Sequence, residues 1–342
     1  MLDISDLGGA SWQFGWVPRC PFDAPNVDDR TGVAEWLPAT VPGNVRTDLL
    51  ALWRIPDPFF ADWYQASLWV EDYDWWYRRA VDVSIGPNQR AFVVFDGVDY
   101  LGAVFVNGQE LGRHQGMFSR QVYEVTHALE QPPAPVELAV RLWGSGALPR
   151  RRLSSSERSW AWLGDRLDPS GVGPFPDRMA TVKCQMSFGW DFAPPIRVMG
   201  IWDDVWLLVT DGVFVEDVWI KSRLSDPTSR LAHLAVQVTL DSDRPGPAQA
   251  LAQVCPANFD GPTWGPVPFE LDLAAGRSLH TLSLEFPNPQ LWQPWDRGFP
   301  HLYELRLSIS NLRPSASGNS LLALAPSANV PDRQTFDFAS TR

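Results

Sequence analysis

Cysteine is scarce. Three residues in 342, Cys20, Cys184 and Cys255, lie far apart. They form neither a disulfide framework nor a CxxC metal pair, and buried reduced thiols are the ordinary state for such residues. Positive charge is also short: 28 Lys and Arg stand against 40 Asp and Glu, for a net charge of −12. An acidic chain repels phosphate backbones, which argues against a nucleic-acid partner. No apolar run reaches the ~18 residues of a membrane-spanning helix. Met1 to Val17 has Asp3 and Asp6 early and no basic stretch ahead of an apolar run. It does not read as a secretory signal, and the cytoplasm is the expected compartment. GxGxxG, Walker, HExxH and GxSxG signatures are all missing. The five histidines, His114, His127, His233, His280 and His301, are scattered singly. Each reads as a surface or satisfied core residue, and no metal or cofactor is expected.

Tryptophan and proline, in contrast, are abundant, at 18 and 31 residues. Proline argues against long helices, because it lacks the amide donor and clashes in a helix interior. An apolar fraction of 45% with 20% charged residues suits a folded globular chain rather than a disordered one. At ~150 residues per domain the length allows two domains, each able to bury a core. Strand-like segments dominate: 75–83, 91–95, 103–106, 136–143, 205–210, 213–220, 234–240, 279–286 and 302–309. They are rich in β-branched and aromatic residues, and several alternate apolar with polar. Asn107-Gly108, between AVFV and QELG, supplies the positive φ angles of a tight hairpin. Helices are predicted only at 45–53, after Pro42-Gly43, and at 155–167, behind a Ser cap. The pattern predicts an all-β protein built from antiparallel sandwiches. A boundary is expected near 210–213, where Asp211-Gly212 turns between two strands. Residues 308–331, rich in Ser, Ala, Pro and Asn, read in part as a surface loop.

Arg150-Arg151-Arg152, followed by Ser154-Ser155-Ser156, reads as a solvated loop. Two stretches resist so plain a reading. Residues 95–126 run as strand, turn, strand, Asn-Gly turn and strand, then a loop with Met117-Phe118. Residues 183–207 place Gly189-Trp190-Asp191-Phe192 just before Pro194-Pro195, a pair that holds a loop extended. An indole face packs on the C–H face of a pyranose, and a neighbouring carboxylate accepts hydrogen bonds from vicinal hydroxyls. Trp190 and Asp191 are therefore a candidate sugar-contact pair. The alternative is equally concrete: Trp190 as a core plug and Asp191 as a loop cap.

Four segments, in order, resemble glycoside hydrolase family 2, and most closely its β-mannosidases. Val41-Pro42-Gly43-Asn44-Val45 with Asp48-Leu49 and Ile55-Pro56-Asp57-Pro58-Phe59 resembles the family's VPG…DL…IPDPF opening. Trp75-Trp76-Tyr77-Arg78-Arg79 is similar to its WWYRR strand. Phe95-Asp96-Gly97-Val98-Asp99 with Val106-Asn107-Gly108 resembles its F-x-G-x-D…NG hairpin. Ser187-Phe188-Gly189-Trp190-Asp191 with Gly200-Ile201-Trp202 resembles its SFGWDW…GIW segment. Pro289-Gln290-Leu291-Trp292-Gln293-Pro294 with Leu302-Tyr303 is similar to NPxLWWP…LY further on. Three positions depart from the pattern: Phe192 for a second Trp, Arg46 for a His, and Gly116 for an Asn. Residues 195–199 also resemble the related exo-β-glucosaminidases.

The resemblance implies a jelly-roll, galactose-binding-like β-sandwich over residues 1–211. An immunoglobulin-like β-sandwich follows over 212–342, with the start of a linker to a (β/α)8 barrel. In family members that barrel carries two glutamates ~5 Å apart that perform retaining hydrolysis. A barrel needs ~250 residues of its own, and the chain has no Asn-Glu pair of the kind that holds the family's acid/base. No catalytic residue is therefore assigned, and the chain alone is expected to be inactive. Trp190 and Asp191 are implied to touch the terminal sugar, with Gly189 and Phe192 supporting their loop. The parent reaction implied is removal of terminal β-D-mannose from non-reducing ends. β-Glucosaminides or β-galactosides are the alternative substrates. A stand-alone carbohydrate-binding protein and a subunit of a split glycosidase are the alternative roles. The implied partners are a carbohydrate and a barrel domain, or a second copy meeting apolar faces that a barrel would cover. No nucleic acid and no membrane are expected.

Overall fold

In a computed structural model of the chain, residues 3–25, 27–130, 135–148, 180–225, 230–311 and 335–336 are described. The helix predicted at 155–167 and the Arg150–Ser156 stretch lie outside them. The chain divides into two units: one holds 4–87 with 91–209, the other runs from 210 onward and takes in 88–90.

In the N-terminal unit, strands β1 (Asp3–Asp6), β2 (Gly9–Pro18) and β3 (Leu37–Val41) precede helix α1 (Val45–Ala51). After a 3-10 stretch over Trp63–Asp72 come β4 (Tyr73–Val81), β5 (Arg90–Phe95), β6 (Val98–Asp99), β7 (Leu101–Val106), β8 (Gln109–Gln115) and β9 (Gln121–Glu124). Short helix α2 (Thr126–Glu130) leads to β10 (Val136–Leu142), β11 (Gly200–Ile201) and β12 (Val205–Thr210). Six strands form one sheet in the order β3-β2-β4-β10-β7-β8. Four form the facing sheet, β1-β12-β5-β9, and β6 pairs with β11 apart from both. The core between the sheets joins Trp75, Tyr77 and Val140 to Val93, Phe95 and Leu207. A second cluster, with Trp76, Phe105 and Trp143, covers the other face of the six-stranded sheet. Strand β4 is thus covered on both faces, and Asp74, Trp75, Trp76 and Tyr77 are all buried in succession. Its sequence is accordingly a continuous aromatic run rather than an alternation.

The Asn107-Gly108 turn forms as the sequence predicts. Both residues have positive φ, 49° and 82°, and the turn joins β7 to β8. Helix α1 stops earlier than the predicted 45–53. Asn44 caps its start, accepting from the amides of Arg46 and Thr47 at 3.0 Å each. At its end Trp53 takes φ 57°, with Trp53 N–H bonded to Leu50 O and Arg54 N–H to Leu49 O. This left-handed closure is usually occupied by glycine.

The C-terminal unit is simpler. Strands β13 (Val213–Leu224), β14 (Leu231–Ser242) and β17 (Gly276–Pro287) form one sheet. Strands β15 (Gly246–Pro256), β16 (Trp264–Leu273), β18 (Tyr303–Asn311) and β19 (Thr335–Phe336) form the other, in the order β16-β15-β18-β19. In β14 every second residue from Ala232 to Ser242 is buried, the period-two pattern of a sheet with one covered face. Leu234, Val236, Ala252, Val254, Leu284 and Tyr303 meet in the core. Strand β16 escapes a sequence reading because it holds Pro266 and Pro268, which an edge position tolerates.

Candidate functional site

The two stretches singled out in the sequence are brought together in the fold. Strand β6 pairs with β11, Val98 opposite Ile201 and Asp99 opposite Gly200. Lys183 reaches back to form a buried ion pair with Asp99, and the Cys184 amide donates to Met117 Sδ at 3.5 Å. Trp202 donates from its indole nitrogen to Met117 O at 2.9 Å, and the Phe118 ring meets Trp202 edge-on.

Between these anchors the chain rises into a loop. A 3-10 turn over Gln185–Phe188 ends at Gly189, with φ 97° and ψ 140°. A β-carbon there would sit 3.1 Å from Pro195 Cβ, so glycine serves both the left-handed angle and the close approach. Trp190 and Ala193 then exchange two backbone hydrogen bonds, 3.0 and 3.2 Å, which close a tight turn with Asp191 and Phe192 at its tip. Trp190 is 50% exposed, too open for a core plug, and Phe192 is 72% exposed. Asp191 is exposed, and its carboxylate makes no hydrogen bond or ion pair among the described residues. The tip therefore offers an indole face, a phenyl ring and a carboxylate with unspent acceptor capacity. An array of this kind can hold an aliphatic ring face and its hydroxyls.

The returning arm is held by charged side chains that carried no signal as site residues. Arg46, in α1, donates to Arg197 O at 2.6 Å and to Glu71 at 2.9 Å. Glu71 accepts from the Arg197 amide at 3.0 Å, from the Arg197 guanidinium at 2.7 Å and from Ser145 Oγ at 2.8 Å. Lys183 Nζ also donates to Val198 O at 2.6 Å. Burial pushes the Lys183 ammonium down and the Asp99 carboxyl up, and each is drawn back by the charge of the other. Arg46 stands out in the sequence only as a departure from the family pattern. Asp99 sits inside a recognisable motif and Lys183 only at the start of the stretch 183–207, and 84 residues apart nothing local pairs them.

His114 is a satisfied core residue. Burial holds its pKa below the ordinary range, and its Nε2 lies 2.6 Å from Gly116 O. The described residues contain no group of three or more His, Cys, Asp or Glu able to hold a metal ion.

Comparison with known proteins agrees with this architecture. Residues 24–203 match the glycosyl hydrolase 2 galactose-binding domain-like family, and residues 213–313 match glycosyl hydrolases family 2. The chain is 27% identical over 277 residues to beta-mannosidase B of Emericella nidulans, covering 80% of this chain and 31% of that protein. It is 26% identical over 301 residues to a mannosylglycoprotein endo-beta-mannosidase of Lilium longiflorum, covering 81% of this chain and 29% of that protein. The crystal structure of a beta-D-mannosidase from Dictyoglomus thermophilum aligns with a TM-score of 0.65 at 25% identity, over 90% of this chain and 34% of that one. The chain thus spans about a third of the length of the proteins it matches. With both of its sandwiches matched and in the family's order, the chain belongs to glycosyl hydrolases family 2.

Proposed function

We propose that this chain is the non-catalytic, substrate-shaping part of a retaining exo-β-glycosidase, with terminal β-D-mannose as the sugar. The relatives named above are called mannosidases, which favours mannose over glucosamine or galactose. The observation that carries the reading is the loop tip: a half-exposed Trp190 beside an exposed Asp191 with open acceptors, on a turn shaped by Gly189. Trp190 would stack on the sugar ring and Asp191 would accept from its hydroxyls, with Phe192 extending the apolar surface. The two glutamates of hydrolysis would lie in a barrel beyond these sandwiches.

Aromatic side chains between Trp53 and Trp63 support a role inside a larger assembly. Trp53 is 92% exposed in a backbone position suited to glycine, and Phe59 and Phe60 are exposed as well. Surfaces of this kind mark contact sites, and the remaining two thirds of a full-length family member would cover them.

The chain alone should leave a nitrophenyl β-mannoside unhydrolysed. Turnover above background that disappears on replacing one of its carboxylates would overturn the proposal. Titration calorimetry with mannose and short β-mannosides should give a Kd weaker than about 1 mM, because half a site contacts few sugar atoms. A tighter Kd, lost in Trp190→Ala, would instead support a stand-alone carbohydrate-binding protein.

A further inference from the structure

The loop that carries Trp190 has an open tip and an ionic base. Its returning arm at Arg197 and Val198 belongs to no strand. Three of its backbone groups are nevertheless held by buried charged side chains. Glu71 accepts the Arg197 N–H at 3.0 Å, Arg46 donates to the Arg197 carbonyl at 2.6 Å, and Lys183 donates to the Val198 carbonyl at 2.6 Å. Lys183 also stands at the other end of the loop, so its ammonium ties the outgoing arm to the returning one. The holding groups come from separate elements: Arg46 from α1, Glu71 from the 3-10 stretch over Trp63–Asp72, and Asp99, which pairs with Lys183, from β6.

Charges buried in this way are a poor source of stability. Their mutual attraction repays little more than the water they give up, and apolar residues of similar size often serve as well. What an apolar replacement cannot do is hold a carbonyl or an amide that lies outside any sheet. We infer that Lys183 and Glu71 are positioning residues, which fix the loop base so that Trp190 and Asp191 are presented to sugar in one geometry. A pre-set loop spares the ordering cost that a mobile one would meet on binding. The inference rests on the reading that Trp190 and Asp191 contact sugar, but its test needs no sugar.

Amide hydrogen exchange on the whole chain provides that test. The amides of Ser187, Gly189, Trp190, Ala193 and Ile196 all bond to acceptors within the loop, so their exchange reports how well the loop is held. The double variant Lys183→Met with Asp99→Leu removes both charges at once and leaves neither buried alone. Glu71→Gln is the second variant, retaining the shape while losing the anionic acceptor. In each, these five amides should exchange at least tenfold faster, and by a clearly larger factor than the amides of β4 and β10, which report the stability of the sandwich as a whole. Unchanged loop amides would overturn the inference. An equal rise in β4 and β10 would also overturn it, since the charges would then serve the sandwich as a whole. A loosened loop together with sugar binding that Trp190→Ala leaves untouched would sink the sugar reading and leave the positioning role standing.

Discussion

The two sandwiches share an architecture and differ in their interiors. In the N-terminal unit, Arg46, Asp48, Glu71, Asp74, Asp99, Arg141 and Lys183 are all buried. In the C-terminal unit, the buried polar residues among those described are Thr210 and Ser242, neither of them charged. Two apolar sheet faces are sufficient to make a sandwich, as the C-terminal unit demonstrates with its alternating β14. The charges of the N-terminal unit therefore answer a different need. Most of them hold backbone outside the sheets or at a sheet edge: Asp74 takes the amides of Cys20 and Gly144, Asp48 takes the amide of Thr40 in edge strand β3, Arg141 donates to the Val27 carbonyl at 2.5 Å, and Arg46, Glu71 and Lys183 hold the loop base. Among the described residues, interior charge goes mainly with backbone groups that no sheet ladder pairs.

The sharpest way to break that contrast is Asp74→Ala. Arg141 is fully buried between Asp74 and Asp29, at 2.7 and 2.6 Å, and would keep only one of its carboxylates. Two amides would lose their acceptor as well. The unfolding transition of the N-terminal unit should fall by about 3–5 kcal/mol in urea titration, the usual cost of orphaning a buried charge. A loss below about 1 kcal/mol would show that interior charge is incidental there. The matching change in the apolar interior is Leu234→Ala. It should cost roughly 3 kcal/mol by leaving a cavity, and it should move only the transition of the C-terminal unit. If a single merged transition shifts in calorimetry, the units do not unfold as separate bodies.

The smallest effect is one of pH. Burial raises the Asp48 carboxyl from 3.8 to about 6, against the lowering donated by the Thr40 amide. Between about pH 4 and pH 6 the folded chain then holds a proton that the unfolded chain has released. Stability contributed by this group is full below that window, declines as pH rises through it, and is gone above pH 6. Asp48→Asn should flatten this slope and raise stability above pH 6 by at most about 3 kcal/mol, at 1.36 kcal/mol per pH unit. Thermal unfolding followed across pH 4–8 reads this directly, and a variant that keeps the wild-type slope would refute the assignment.

Much of the scaffold was legible in the chain. The strand over β14 announces itself by alternation, the β7–β8 hairpin by Asn107-Gly108, and α1 by its position behind Pro42-Gly43. Strands β2, β15 and β16 were not picked out, since their glycines, alanines and prolines dilute the β-branched signal. For the candidate site, the sequence could name Trp190 and Asp191 but left them divided between sugar contact and core.

The sequence by itself determined what depends on neighbours along the chain: strand periodicity, turn chemistry, the acidic balance and the ordered motifs of family 2. Local backbone preference and side-chain alternation act over a few residues, so they can be read without a fold. Tertiary structure alone decided that Trp190 is half exposed, and that Asp74 to Tyr77 are buried on both faces of their strand. It also decided that Glu71 holds Arg197 across 126 residues of sequence, and that Lys183 closes the loop against Asp99. Exposure and long-range pairing are properties of which surfaces meet, and no local pattern states which surfaces those will be.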